Sequence, residues 1–305
     1  MDALLQKTIE GSTDGPHLLI TGGVHGDEFE PMTAIRRLIK VWPRDHLCGR
    51  ITLIPVVNQP AFQRGTRIAE DGLDLARTCP GKPVGSITEE LARHLCRQIR
   101  AADYYIDLHT GGTALELLPL VGYMLHPESK VLDQQRRMAR AFNLPIIWGT
   151  SAELEGRSLS IARDAGVPAI YAEYGGAAVC DRRGVEAYVN GCLNVAAALG
   201  MIRQRRPSPC VEYLVEDRRR QSGHLQIQHP APCDGFFESV VSLGEIVAAG
   251  QPLGHVVDPL GENPRQVSAA EAGLVLMLRS FPRVRRGDSL AAMLPATAPG
   301  KVQLG

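Results

Sequence analysis

From residue 17 to about residue 202, short apolar runs alternate with longer stretches of helical period. The runs His17–Thr21, Ile51–Asn58, Tyr104–His109, Leu117–Leu125, Ile146–Gly149 and Ala169–Glu173 predict strands. Between them, Glu28–Val41, Thr88–Ala101, Lys130–Phe142, Ser158–Ala165 and Gly184–Leu199 predict helices. Ser86 stands three residues before Glu89, a capping box that fixes where the second helix starts. This order predicts an α/β domain over residues 1–202, with a largely parallel sheet covered by helices on both faces. Ligands of such sheets collect at the carboxyl ends of the strands.

The pattern changes at RQRRPSPC (Arg203–Cys210), a basic, proline-broken linker. Beyond it, residues 211–294 carry short β-type runs, many glycines and no helical period, which predicts a small all-β cap domain. The cap repeats itself. DGFF at Asp234–Phe237 answers AGLV at Ala272–Val275, and VAAGQPLG at Val247–Gly254 answers VRRGDSLA at Val284–Ala291. Two half-units of this spacing resemble the barrel-sandwich modules that carry biotin or lipoate. Such a carrier needs an attachment lysine, and no lysine lies between Lys130 and Lys301. A structural cap is therefore expected, followed by a flexible tail over residues 295–305.

Composition narrows the function classes. Lysine plus arginine and aspartate plus glutamate both number 33, so the formal net charge of zero gives no reason to expect a nucleic-acid partner. No apolar run approaches the roughly 20 residues of a membrane span, and the N-terminus lacks a secretory pattern. Seven scattered cysteines with no CxxC pair point to reduced thiols and a cytoplasmic setting. The apolar run GLVLMLRSF (Gly273–Phe281) suits a core strand or an interface between copies of the chain equally well.

The chemistry sits where strands are predicted to end. In LLITGGVHGDEFEP (Leu18–Pro31), a glycine pair closes an apolar run and His25 and Glu28 follow, just before a helix. Hydrolytic zinc sites take three protein ligands, often two histidines and a glutamate, and leave a fourth position to water. An isolated HxxE is weak evidence. YYIDLHTGG supplies the missing imidazole, because His109 closes the run from Tyr104 and precedes two glycines. Asp107 lies two residues earlier on the same strand face, placed to orient a ligand ring. His17, His46, His94 and His126 lack this setting and read as packing or surface residues. AIYAEYGG ends a third run at Glu173, where a carboxylate can move protons for a water whose pKa a metal lowers to roughly 7. The carbonyl oxygen needs a permanent cation, and Arg64, Arg67 and Arg77 all follow the strand ending at Asn58.

Taken together, GGVHGDE, DLHTGG and AEYGG resemble the succinylglutamate desuccinylase/aspartoacylase family, a zinc-dependent branch of the metallocarboxypeptidase fold. The resemblance runs from about Leu18 to Leu199, and the β-rich tail is similar to that family's extra domain. It implies a mixed, mostly parallel sheet, one zinc ion per chain held by His25, Glu28 and His109, and Glu173 as the acid/base. NQPAFQRGTR (Asn58–Arg67) is similar to the family's NP-x-A…GTR segment, which makes Arg67 the residue that polarises the scissile carbonyl. Two departures stand out. The family's DLNR is DLAR here, so Ala76 replaces an amide that grips the substrate carboxylate and Arg77 is left to bind it. The lost donor is worth roughly 1–2 kcal/mol. Cys79 stands where an aromatic is usual. Arg157, in EGRSL, resembles an arginine that contacts the acyl side of the substrate. The expected activity is hydrolysis of the amide of a small N-acyl amino acid or N-acyl amine. A peptidase or amidase of the same fold, and a zinc-binding relative without catalysis, are the alternatives.

Overall fold

The architecture follows from strands that are apolar on both sides. In the computed structural model, which describes residues 4–43, 46–220, 222, 223, 225, 228–295 and 302–303, strand β1 (Lys7–Glu10) precedes β2 (Thr13–Thr21), and helix α1 (Phe29–Val41) leads to β3 (Cys48–Ile54). A six-residue helix, α2 (Gln59–Arg64), and a 3₁₀ turn (Leu75–Arg77) come before α3 (Ile87–Arg100). Then follow β4 (Tyr104–His109), β5 (Leu115–Met124), α4 (Ser129–Phe142), β6 (Ile146–Thr150), α5 (Ser158–Asp164), β7 (Ala169–Gly176) and α6 (Arg182–Ala198). β8 (Tyr213–Glu216) opens the C-terminal region. The main sheet runs β1-β3-β2-β4-β7-β5-β6-β8, with β3, β2, β4 and β7 mutually parallel, β5 antiparallel to β7, and β6 and β8 parallel to β5.

Side chains of successive strand residues enter opposite cores, as the two-residue period demands. Leu18, Ile20, Ile106 and Leu108 pack with α1, α4 and α6, whereas Leu19 and Tyr105 pack with α3 and α5. The helices thus cover both faces. At the start of α3 the Glu89 carboxylate accepts the Ser86 N–H at 2.9 Å, as the capping-box spacing predicts. Each expected strand and helix of this region is present, with ends shifted by a few residues. β3 stops at Ile54, because Pro55 cannot donate to the ladder.

The C-terminal region contributes β9 (Gly235–Ser239), β10 (Ile246–Val247), β11 (Pro252–Val257), β12 (Arg265–Ser268), β13 (Gly273–Arg279), β14 (Arg283–Val284) and β15 (Ala291–Pro295). The repeat in the sequence has a structural counterpart. β9 pairs with β11 and its counterpart β13 pairs with β15, while each half lends its two-residue strand to the other: β10 lies on β13 and β14 lies on β9. β12, β11, β9 and β14 form a separate antiparallel sheet. β13 also pairs with β5, and Leu120, Ile146 and Trp148 share a core with Val215, Leu276 and Leu294, so the main sheet continues into this region. β8, within the span expected as the cap, likewise extends the main sheet. The run Gly273–Phe281 is largely core strand: Val275, Leu276 and Met277 are fully buried. Most of the expected tail lies outside the described residues, apart from Pro295 and β16 (Val302–Gln303), which pairs with β8. Among the described residues no helix is long and apolar enough to cross a membrane.

Candidate functional site

Three adjacent parallel strands deliver their carboxyl ends to one point. β2 ends at Thr21, and the chain turns through Gly23, whose φ of +62° suits glycine, to present His25 and Glu28. Glu28 is the residue that caps α1, so its carboxylate sits at the positive end of the helix dipole. His109 is the last residue of β4, and its register partner on β7 is Glu173. Gly26 lets α2 approach: a Cβ there would lie 2.1 Å from the Ala61 carbonyl carbon.

His25 Nδ1 lies 2.6 Å from Glu28 Oε1, and His109 Nδ1 lies 3.1 Å from Glu28 Oε2. One ligand atom from each of the three residues falls within 4.8 Å of the others, a group that could hold a metal ion. The far side of each ring explains why Nδ1 faces inward. His109 Nε2 is 3.1 Å from Asp107 Oδ2, and His25 Nε2 is 3.1 Å from Asp74 Oδ1. A carboxylate can only accept, so the acid behind each ring gives Nε2–H a partner, and Nδ1 is then the atom of each ring that would ligate an ion in place of its contact with Glu28. Thr21 Oγ1 donates to Asp107 Oδ1 at 2.8 Å and Ser158 to Oδ2, which fixes that carboxylate, and the Tyr188 hydroxyl donates to the carbonyl of His109.

The electrostatics favour a cation here. Burial opposes charge on His109, yet Asp107 and Glu28 on its two sides outweigh it and hold its pKa well above the ordinary imidazole value. Burial would also raise Glu28, but His25 and His109 hold it below the usual carboxylate range. An N₂O donor set, already deprotonated on the carboxylate and flanked by a further carboxylate behind each ring, fits a divalent ion of borderline softness.

Next to this group, burial pushes Glu173 up to about 8, with His109 pulling it down and Glu28 pushing it up. Its Oε2 is buried and has no hydrogen-bond partner among the described residues. Arg67 donates from Nη2 to Asp74 Oδ2 at 3.1 Å and places Nη1 3.7 Å from Glu28 Oε1. Glu173, Arg67, Arg77 and Arg157 line one cavity of about 90 Å³ together with His25 and His109. Burial and the neighbouring Arg77 push Arg157 down to about 10, and burial also lowers Arg77. Guanidiniums crowded in this way favour an anion between them. Arg64 does not line the cavity: it ends α2 on the exposed side.

Apart from Arg64, the candidate residues named from the sequence are therefore brought to one cavity or its immediate support. The residue that sequence reasoning passed over is Asp74, which holds His25, Arg67 and the Ala76 N–H at once. DLAR was read for its missing amide and not for its acid. Ala76 forms part of the cavity wall, and Cys79 is buried beside α3, away from that wall.

The sequence model of the succinylglutamate desuccinylase/aspartoacylase catalytic domain matches residues 14–199. The N-alpha-acetyl-L-2,4-diaminobutyric acid deacetylase of Halomonas elongata is 31% identical over 95% of this chain and 85% of its own. Among solved structures, the product-bound ectoine utilization protein EutE (DoeB) from Ruegeria pomeroyi superposes with a TM-score of 0.85 at 27% identity, covering 94% of this chain and 87% of that one. The succinylglutamate desuccinylase/aspartoacylase from Rhodobacter sphaeroides gives 0.83 at 28% identity, covering 95% and 88%.

Proposed function

Because the chain belongs to the succinylglutamate desuccinylase/aspartoacylase family, and is an amidohydrolase, we propose that it is a zinc-dependent deacylase of small N-acyl amino acids. The observation that carries this reading is the convergence of two Nδ1 atoms and a carboxylate on one point, with Glu173 and three arginines around the same small cavity. A volume of about 90 Å³ suits a short acyl group and argues against polypeptide substrates. The deacetylase relative acts on an N-acetylated diamino acid, and an acetyl group is of that size. Seven cysteines without a disulfide are in keeping with a cytoplasmic enzyme.

His25, Glu28 and His109 would hold the zinc, and Asp74 and Asp107 keep the two rings in the tautomer that ligation needs. When bound, zinc supplies Lewis acidity, acidifying a water and polarising a carbonyl. Glu173, whose Oε2 has no hydrogen-bond partner among the described residues, takes the proton from the attacking water and returns it to the departing nitrogen. Arg67, held by Asp74, donates to the carbonyl oxygen as negative charge develops there. Arg77 anchors the α-carboxylate, and Arg157 faces the acyl side.

The test is amine release from paired N-acyl amino acids, each with its α-carboxylate free or amidated, by the zinc-loaded protein and by Glu173→Gln. Cleavage of the free acids alone, lost in Glu173→Gln while zinc is retained, is the expected result. Unchanged turnover in that variant removes the acid/base role. Equal cleavage of the amidated forms means that Arg77, without the amide that Ala76 replaces, no longer selects for a carboxylate.

A further inference from the structure

A second concavity lies away from the metal-binding group, at the C-terminal ends of α4 and α6. It encloses about 740 Å³. One wall is a basic face of α4, where Arg136, Arg137 and Arg140 recur at helical spacing. The opposite wall is Asn194, Ala197 and Ala198 of α6, and the segment carrying Arg205 and Arg206 crosses between them.

Two features separate this groove from an ordinary solvated surface. The crossing segment is strapped down: Asn143 donates to the Ser208 carbonyl at 3.0 Å and accepts the Cys210 N–H at 3.0 Å, and Gln204 donates to Asn194 at 2.8 Å. The charge is also one-sided. Arg136 is neutralised by Glu216, through bonds of 2.7 and 2.8 Å, and by Asp133 at 3.1 Å. Arg137, which donates to the Ala198 carbonyl across the groove, and Arg140, Arg205 and Arg206 are exposed and form no ion pair among the described residues. In a chain of zero formal net charge, four exposed guanidiniums without an ion-pair partner among the described residues are a local concentration of positive charge around one groove.

We propose that this groove binds a small polyphosphate, the guanidiniums taking the phosphates. Arginine suits this use because its planar fork pairs two donors with two phosphate oxygens. The small apolar floor of Ala141, Ala197, Pro207 and Val211 leaves room for an uncharged moiety beside the phosphates, as in a nucleoside triphosphate. The site shares no residue with the deacylase cavity, so it stands or falls independently of the proposed activity.

The test uses the full-length zinc-loaded protein and follows the fluorescence anisotropy of a labelled ATP at ionic strength fixed with KCl. Unlabelled ATP and inorganic tripolyphosphate are expected to displace it, and adenosine is not. ATP competing better than tripolyphosphate identifies a nucleotide site, and equal competition identifies inorganic polyphosphate; both support the proposal. Arg140→Glu/Arg206→Glu changes only exposed side chains and should weaken binding by at least about tenfold, with the melting temperature and hydrolytic rate unchanged. Absence of saturable binding, displacement by adenosine alone, or undiminished binding in this double variant overturns the proposal.

Discussion

Replacing Asp107 by asparagine would change one oxygen into an NH₂ and leave the shape of the side chain intact. In the native protein this carboxylate is 1% exposed and accepts three hydrogen bonds, from Thr21, Ser158 and His109 Nε2. Burial raises its pKa, and the interactions with His109, Ser158 and Thr21 outweigh that and lower it. An asparagine oxygen can still accept from Thr21. The NH₂, turned toward Oδ2's place, would then face two donors, the Ser158 hydroxyl and His109 Nε2–H. To avoid that clash, His109 must move its proton to Nδ1 or rotate, and either change removes the Nδ1 lone pair that would ligate the ion. Losing such a ring-orienting partner typically costs 10–100-fold in metal affinity, which is about 1.4–2.8 kcal/mol. Competition for zinc against a chromophoric chelator measures this directly, with far-UV circular dichroism to establish that Asp107→Asn is folded. Zinc affinity within twofold of wild type in the folded variant would refute the assignment of His109 Nδ1 as a ligand atom held by Asp107.

Asp74→Asn should weaken zinc binding through His25 by a similar factor and lower kcat further than Asp107→Asn at saturating zinc, because Arg67 loses its anchor at 3.1 Å; equal kcat in the two variants would separate Arg67 from the reaction. Gly26→Ala must push α2 away from a contact of 2.1 Å, so activity should fall by more than about tenfold, with a stability loss of about 1–3 kcal/mol read from urea unfolding; a variant as active as wild type would mean that the position of α2 is immaterial. His17 is 6% exposed, with Nδ1 3.0 Å from the Ala101 carbonyl and Nε2 2.9 Å from Thr52 Oγ1, and burial lowers its pKa below 6.5. A depressed native pKa means that the unfolded chain binds more protons, so its contribution is fully present above about pH 6.5 and is lost as the pH falls toward the native value. Between pH 7.5 and 5.5, roughly the range of histidine titration, the wild type should therefore lose more stability than His17→Gln; parallel urea midpoints across the range would refute this.

The main sheet was legible because its strands are buried on both sides. An uninterrupted apolar run such as Leu18–Ile20 has few alternatives once helical period brackets it, and the register of β2, β4 and β7 then brings their ends together. α2 was not legible, being six residues long with prolines and polar residues and no full period, and its placement depends on contact with Gly26. β1 has a single buried side chain, Ile9, and is held by backbone pairing to β3, which leaves almost no trace in side-chain chemistry. The repeat of the C-terminal region showed that two halves exist. It could not show that they exchange β10 and β14, because two-residue strands carry no pattern, nor that β13 joins β5.

The site divides along the same line. His25, Glu28, His109 and Glu173 each follow an apolar run and precede a glycine or a helix, so the sequence itself marks them as strand-end residues pointing at shared space. Asp107 was marked by the two-residue period. Asp74 carries no such mark, for it caps a 3₁₀ turn in the long excursion that follows β3, and only the fold brings it to His25. Its importance is nevertheless implied by symmetry of chemistry. If one ligand imidazole needs a carboxylate to fix its tautomer, so does the other, and the sheet offers none beside His25. Strand-borne residues can be read from local pattern; the partner that a loop must supply can be inferred as a chemical requirement, but only the folded chain says which acid meets it.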